Sequence, residues 1–315
     1  MTEPLLEIED LAVRFRQSRS REVRAVDGVS LAVGAGEFVA LVGESGCGKT
    51  TTAQAAMRMV PTAGGAIRFR GRDITDASQR DMRPIRRELQ LIFQDPYESL
   101  DPRFRVRQIV SEPLEIHGIG DREERVRGAL ERAGLTPAEL YLERYPHELS
   151  GGQRQRVSIA AALALEPTLL LADEPVSMLD VSVRAGILGL LDDLRRSGLG
   201  ILMITHDLST AAHYADRICV MYLGRIVEEG PAREVIANPQ HPYTRALVSV
   251  VPQPDPDRTT APEILQGETP NPVDVPTGCR FHPRCPLAQD RCRGEDPALR
   301  DVGADGHRAA CLLIP

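Results

Sequence analysis

Three short stretches carry residue types at spacings suited to handling a phosphate ester. The first is GESGCGKT at residues 43–50, which fits the pattern G-x-x-x-x-G-K-[ST]. Glycines in such a loop let backbone N–H groups turn inward around phosphate oxygens, and the helix that follows turns its positive end to the same anion. Gly43, Glu44, Ser45, Gly46, Cys47, Gly48, Lys49, Thr50 and Thr51 therefore form one candidate nucleotide site, with Lys49 for the β- and γ-phosphates and Thr50 for Mg²⁺. The second stretch is LLLADEP at residues 169–175, an apolar strand ending in two carboxylates. Asp173 suits Mg²⁺, held through its water shell, and Glu174 suits a general base, with strand alternation aiming the two differently. An apolar run before Asp-Glu is common by itself, so its weight comes from the phosphate loop. The third is LSGGQRQR at residues 149–156, where Ser150, Gly151, Gly152 and Gln153 open a helix and offer a second anion site without a lysine.

These residues need strands to present them. Short apolar or β-branched runs at residues 38–42, 89–93, 169–172, 200–205 and 217–222 alternate with helical patterns, which predicts an α/β layout. Residues 5–33 instead predict two antiparallel strands joined by a polar loop at 17–22. Between residues 95 and 150 the β-rich runs disappear and charged stretches such as DREERVRGALERAG predict an inserted helical subdomain. Residues 252–276 hold seven prolines, at positions 252, 254, 256, 262, 270, 272 and 276, and predict an extended linker or irregular wrap. No internal repeat and no sustained heptad pattern is visible.

The 315-residue chain is 42% hydrophobic, enough for a sizeable core of two or three lobes. Net charge is −7 and the pI about 5.6, which argues against a nucleic-acid partner held by phosphate neutralisation. The cluster Arg83, Arg86 and Arg87 reads as a solvated helix face. The start, MTEPLLEIED, is acidic and lacks a secretory pattern, and no apolar run reaches the ~18 residues of a bilayer span. The expectation is a cytoplasmic protein, peripheral if it works at a membrane.

The LSGGQ stretch resembles the signature of the nucleotide-binding subunits of ABC transporters, and the other motifs of that family follow in order. Gln94 in FQDP is similar to the Q-loop residue that touches Mg²⁺ or the water, Asp180 in SMLD to the D-loop, and His206 in ITHD to the switch histidine at the γ-phosphate. Phe15 looks like the aromatic that stacks on adenine, although a core strand residue would look the same. The resemblance implies a P-loop ABC ATPase core with an antiparallel β subdomain and an inserted α-helical subdomain at about residues 95–150. It covers residues 5 to about 240, which implies a nucleotide-binding domain at 1–240 and an irregular cysteine-bearing C-terminal extension at 241–315. It also implies ATP and Mg²⁺, and a head-to-tail dimer in which the signature of one subunit closes over ATP held by the other. Met178, where a small residue is usual, and Thr50, where serine is commoner, depart from the pattern without removing a catalytic group.

FQDPYESLDPR at residues 93–103 and NPQHPYTRALVSVVP at 238–252 look like the ATPases of oligopeptide, dipeptide and nickel importers. The tyrosine form of the first motif is similar to the second of two partner ATPases. The resemblance thus implies a heterodimeric motor, two permease subunits docked near residues 94–100 through coupling helices, and a separate substrate-binding protein. An importer of nickel or another small solute is the first alternative. A soluble ABC mechanoenzyme on ribosomes or DNA is the second, and the single cassette with its short spacing between phosphate loop and signature disfavours it.

Four of the six cysteines, Cys279, Cys285, Cys292 and Cys311, share the tail in a C-x5-C-x6-C-x18-C pattern. A reducing cytoplasm disfavours disulfides, zinc sites use closer pairs, and an iron–sulfur cluster accepts four thiolates from loops. The tail resembles extensions of peptide-type importer ATPases that bind a [4Fe–4S] cluster. Zinc, with His282 or His307 assisting, and free buried thiols stay open as alternatives. Cys47 and Cys219 read as small fillers.

Overall fold

The computed structural model describes residues 3–17, 21–95, 99–251, 263, 265, 267–268, 270–303 and 306–314. Elements run β1 (Leu6–Arg16), β2 (Glu22–Val33), β3 (Phe38–Val42), α1 (Lys49–Ala56), β4 (Gly64–Phe69), β5 (Arg72–Asp73), α2 (Gln79–Glu88) and β6 (Leu89–Ile92). Next come α3 (Val106–Ile116), α4 (Arg122–Arg132), α5 (Glu139–Leu142), α6 (Gly151–Leu163), β7 (Leu169–Asp173), α7 (Val181–Arg196) and β8 (Gly200–Thr205). The chain continues as α8 (Leu208–Tyr214), β9 (Arg217–Tyr222), β10 (Arg225–Pro231), α9 (Ala232–Ala237), α10 (Pro242–Ser249), α11 (Arg291–Gly294), β11 (Arg300–Asp301) and β12 (Arg308–Ala309). It divides into two compact units, Met1–Leu6 with Val33–Phe38 and Phe69–Ile204, and Glu7–Ala32 with Val39–Arg68 and Thr205–Pro315.

In the first unit β6, β7 and β8 pair in parallel, with Leu89 opposite Leu169 and Leu169 opposite Gly200. Every residue of β7 and β8 is buried, the pattern of strands covered on both faces. The predicted strand at 89–93 ends one residue early, because pairing with β7 runs out at Ile92 and Phe93 is exposed. Between residues 99 and 150 the described residues form helices and turns only. Val106, Ile109, Val110 and Leu114 line the buried stripe of α3, and Val126, Ala129 and Leu130 that of α4. Both stripes pack on α6. Arg83 and Arg87 lie exposed on α2 while Met82 and Ile85 are buried, so the basic cluster is a solvated face.

In the second unit β3 pairs in parallel with β9, and β9 pairs antiparallel with β10 through a bulge between Ile226 and Glu228. The sheet then gains two short strands from the tail: β12 pairs with β10, and β11 with β12. β1 lies between β2 and β4 in a separate sheet, as the hairpin reading expects. Of the proline-rich segment, residues 252–262, 264, 266 and 269 lie outside the described residues, as does the 18–20 part of the β1–β2 loop.

The tail is fastened to this unit by buried polar and aromatic contacts. Glu228, fully buried, accepts from the Gln240 and His241 backbone N–H groups and from His307 Nε2, each at 2.7 Å. Arg280 donates to the Leu223 carbonyl and the Asp27 carboxylate. Burial works most strongly against charge on Asp27, yet the bond from Arg280 and the charges of Arg280, Arg225 and Arg24 together outweigh it and hold the carboxyl below its ordinary range. Phe281 stands edge-on to Tyr222 with centroids 5.2 Å apart and tilts against Tyr243 at 5.5 Å, while Tyr222 and Tyr243 are 4.8 Å apart. Such pairs contribute roughly 0.5–1.5 kcal/mol each beyond area burial.

Candidate nucleotide-binding site

The phosphate loop leaves β3 inside the second unit, and two of its three glycines, Gly43 and Gly48, have no room for a side chain. A Cβ on Gly43 would lie 2.2 Å from the Met221 carbonyl oxygen. Gly48 has φ +109° and a Cβ there would lie 2.1 Å from the Ala25 carbonyl oxygen. At Gly46, with φ +77°, an added Cβ would meet open space, so this stretch of backbone is open to a ligand. Ser45 and Gly46 are exposed, whereas Cys47 and Lys49 are buried. The Gly224 N–H holds the Cys47 carbonyl at 2.8 Å, pinning the loop to the β9–β10 turn.

Lys49 Nζ donates to the Gly43 and Glu44 carbonyls at 2.7 and 2.9 Å, inside the curl of its own loop. Gly48 caps α1 without a side-chain hydrogen bond. The start of α1 thus combines backbone N–H donors, a lysine and the exposed Thr50, with Thr51 half-buried behind it. This donor set fits a polyphosphate, and Mg²⁺ beside one needs only a hydroxyl, a carboxylate and waters. Burial pushes the Cys47 thiol up, only partly offset by Lys49, so it stays a protonated filler. Phe15 is 38% exposed on β1, a partly open ring rather than a core residue. His206 is exposed just after β8. Its neighbour Asp207 caps α8 by accepting from the N–H groups of Ser209 and Thr210 at 2.9 and 3.3 Å.

The first unit carries the carboxylates. Asp173 ends β7 and is buried. Glu174 lies beyond the strand with φ +44°, so a left-handed turn sets its direction in place of the predicted strand alternation. That turn is fixed by the Glu174 N–H donating to the Ile204 carbonyl at 2.9 Å. The Gln94 side-chain amide donates to Glu174 Oε2 at 3.0 Å, bringing together two residues 80 positions apart. Ser150 caps α6, its hydroxyl accepting from the Gln153 N–H at 3.3 Å while the Gln153 side chain accepts from the Ser150 N–H at 3.0 Å. A Cβ on Gly152 would lie 2.4 Å from Val183 Cγ1, so the second signature glycine also permits close packing on α7. Gly151 is half-buried, and Asp180 is exposed at the start of α7. Residues 96–98, inside the predicted permease contact, lie outside the described residues.

The tail cysteines share one neighbourhood without forming a ligand set. Burial, then the thiols of Cys311, Cys292 and Cys285, push the Cys279 thiol up to about 11. Among the described residues no group of three or more His, Cys, Asp or Glu could hold a metal ion. His282 Nδ1 is engaged with the Cys279 carbonyl at 2.9 Å and His307 Nε2 with Glu228. The arrangement as it stands does not fit a four-thiolate centre. Sequence reasoning missed two residues at the phosphate loop, Tyr243 and Arg284. Tyr243 OH accepts from the Glu44 N–H at 3.0 Å, and Arg284 pairs with the Glu44 carboxylate at 2.9 Å.

Residues 26–177 match the ABC transporter family, and residues 227–292 match the oligopeptide/dipeptide transporter C-terminal region. A putative peptide import ATP-binding protein of Brucella ovis is 49% identical, covering 99% of each chain. The oligopeptide transport ATP-binding protein OppF of Salmonella typhimurium is 43% identical, over 98% of this chain and 96% of its own. Among solved structures, cbiO1 from Clostridium perfringens, part of the cbiONQ complex, superposes with TM-score 0.67 at 31% identity, covering 75% of this chain and 92% of its own. The cassette MJ0796 bound to ADP and Pi gives 0.66 at 28%, covering 72% and 99%.

The chain belongs to the ABC transporter family and is an ATP-binding transport ATPase. Within that family it stands with the ATP-binding subunits of oligopeptide and dipeptide importers.

Proposed function

We propose that this chain is the ATP-hydrolysing motor of a peptide importer, with residues 1–240 as the ATPase core, about 95–150 as its helical subdomain, and 241–315 as an extension. The observation that carries the catalytic reading is the Gln94–Glu174 hydrogen bond, which orients a carboxylate at the end of a buried strand.

In this reading Lys49 leaves the Gly43 and Glu44 carbonyls to meet the β- and γ-phosphates, so the loop exchanges internal bonds for ligand bonds. Thr50, Asp173 and Gln94 would hold Mg²⁺, which would supply positive charge beside the phosphates. Glu174 accepts a proton from the attacking water, and Gln94 helps to orient that carboxylate. His206 contacts the γ-phosphate and Phe15 packs on the base. Ser150, Gly151, Gly152, Gln153 and Asp180 serve the ATP held by a partner ATPase, and we infer a heterodimer. Two permease subunits and an extracytoplasmic binding protein complete the assembly. No helix of the described residues is long and apolar enough to cross a membrane, which suits a peripheral subunit. Relatives matching nearly the whole chain are named for peptide transport, which favours peptides over nickel and leaves a ribosome- or DNA-directed mechanoenzyme unsupported.

A [4Fe–4S] cluster on Cys279, Cys285, Cys292 and Cys311 rests only on their common neighbourhood, and no step of hydrolysis is routed through it. Iron, sulfide and zinc measured after anaerobic purification decide that point. The function itself is tested by reconstituting the chain with its partner ATPase, permeases and binding protein in vesicles. Peptide-stimulated ATP hydrolysis supports the reading, and stimulation by nickel alone overturns its substrate class.

A further inference from the structure

GESGCGKT contains one acidic residue, Glu44, inside a loop built to hold polyphosphate. An uncompensated carboxylate there works against binding an anion. Both Glu44 oxygens are engaged by Arg284, at 2.9 and 3.2 Å, in the two-pronged geometry that a guanidinium makes with a carboxylate. The Arg284 side chain is only 9% exposed and Glu44 26%, so water screens the pair weakly. The Arg284 guanidinium also lies over the Tyr222 ring, 5.9 Å from its centroid, and its backbone N–H donates to the Phe281 carbonyl at 3.0 Å. Tyr243 OH receives the Glu44 N–H, so side chain and backbone of the same loop residue are both held by elements C-terminal to β10.

We propose that Arg284 is a positioning residue for ATP binding: it neutralises Glu44 and turns that carboxylate into a handle by which the tail holds the phosphate loop. It touches no nucleotide itself. The proposal rests on the nucleotide-binding reading of residues 43–50. It gives the tail a part in the ATP site whether or not its cysteines hold a metal.

The test is a double-mutant cycle on the full chain, read by equilibrium titration with a fluorescent N-methylanthraniloyl ATP and Mg²⁺. Arg284→Gln is expected to weaken binding about tenfold or more in the Glu44 background, and by less than about threefold once Glu44→Gln removes the charge. Arg284→Lys, which keeps the charge but not the fork, falls between. Unchanged affinity in Arg284→Gln overturns the proposal. A loss of the same size in both backgrounds also overturns it, since that is how simple unfolding of the tail behaves. Failure of the wild-type chain to bind the nucleotide would instead sink the nucleotide-binding reading, and the brace with it.

Discussion

Gln94 and Glu174 meet side chain to side chain, amide nitrogen to carboxylate Oε2 at 3.0 Å. An amide can only donate from its nitrogen, so Gln94 holds this carboxylate through its NH₂ end.

Glu174→Gln removes the carboxylate proposed as the base while nearly preserving shape. Steady-state phosphate release is expected to fall by ~10²-fold or more, with nucleotide binding retained. Unchanged turnover would show that Glu174 is not the base.

Lys49 holds its positive charge at the centre of the phosphate loop, since its ammonium already sits among the loop carbonyls. Lys49→Ala is expected to weaken ATP binding by roughly tenfold or more, because a charge-assisted bond to phosphate is lost. Isothermal titration with MgATP measures it, and an unaltered dissociation constant refutes the assignment.

Gly48→Ala probes the loop without touching charge. The φ of +109° strains any L side chain, and the new methyl would meet the Ala25 carbonyl oxygen at 2.1 Å. Strain alone costs about 1–3 kcal/mol, so urea unfolding should show a lower midpoint. A midpoint matching wild type would mean that the loop relaxes freely.

Asp207 supplies a pH dependence. Burial disfavours its charge, but bonds from Ser209 and Thr210 win and lower its pKa below 3.8. A depressed folded-state pKa means the unfolded chain binds more protons, so this stabilisation is complete above 3.8 and is lost as pH falls through the folded value. Asp207→Asn keeps a cap but cannot titrate, so its unfolding free energy should vary less steeply below pH 3.8 than that of wild type. Equal slopes in denaturant titrations would contradict this.

The strands that carry the site were legible because burial on both faces demands unbroken apolar runs, as in Phe38–Val42 and Gly200–Thr205. The loop glycines and Ser150 were legible from local chemistry. Long-range geometry was not. The turn at Glu174 depends on the Ile204 carbonyl, and β12 is two residues long, too short to show any period. Arg284 carries no local sign of its partner, because an arginine between two cysteines looks the same whether it faces water or a carboxylate. The tail stands out in sequence for its thiols, while its contacts with the rest of the unit include those of Arg280, Phe281, Arg284 and His307 and the pairing of β12 with β10.

The Arg284–Glu44 pair joins residues 240 positions apart. Protein synthesis runs in one direction, so the phosphate loop emerges early from the ribosome and must wait for most of the chain before its brace arrives. A nascent chain stalled before residue 284 would display the glycine-rich loop with the Glu44 charge unanswered. The Arg284–Glu44 pair can therefore form only once most of the chain has been made.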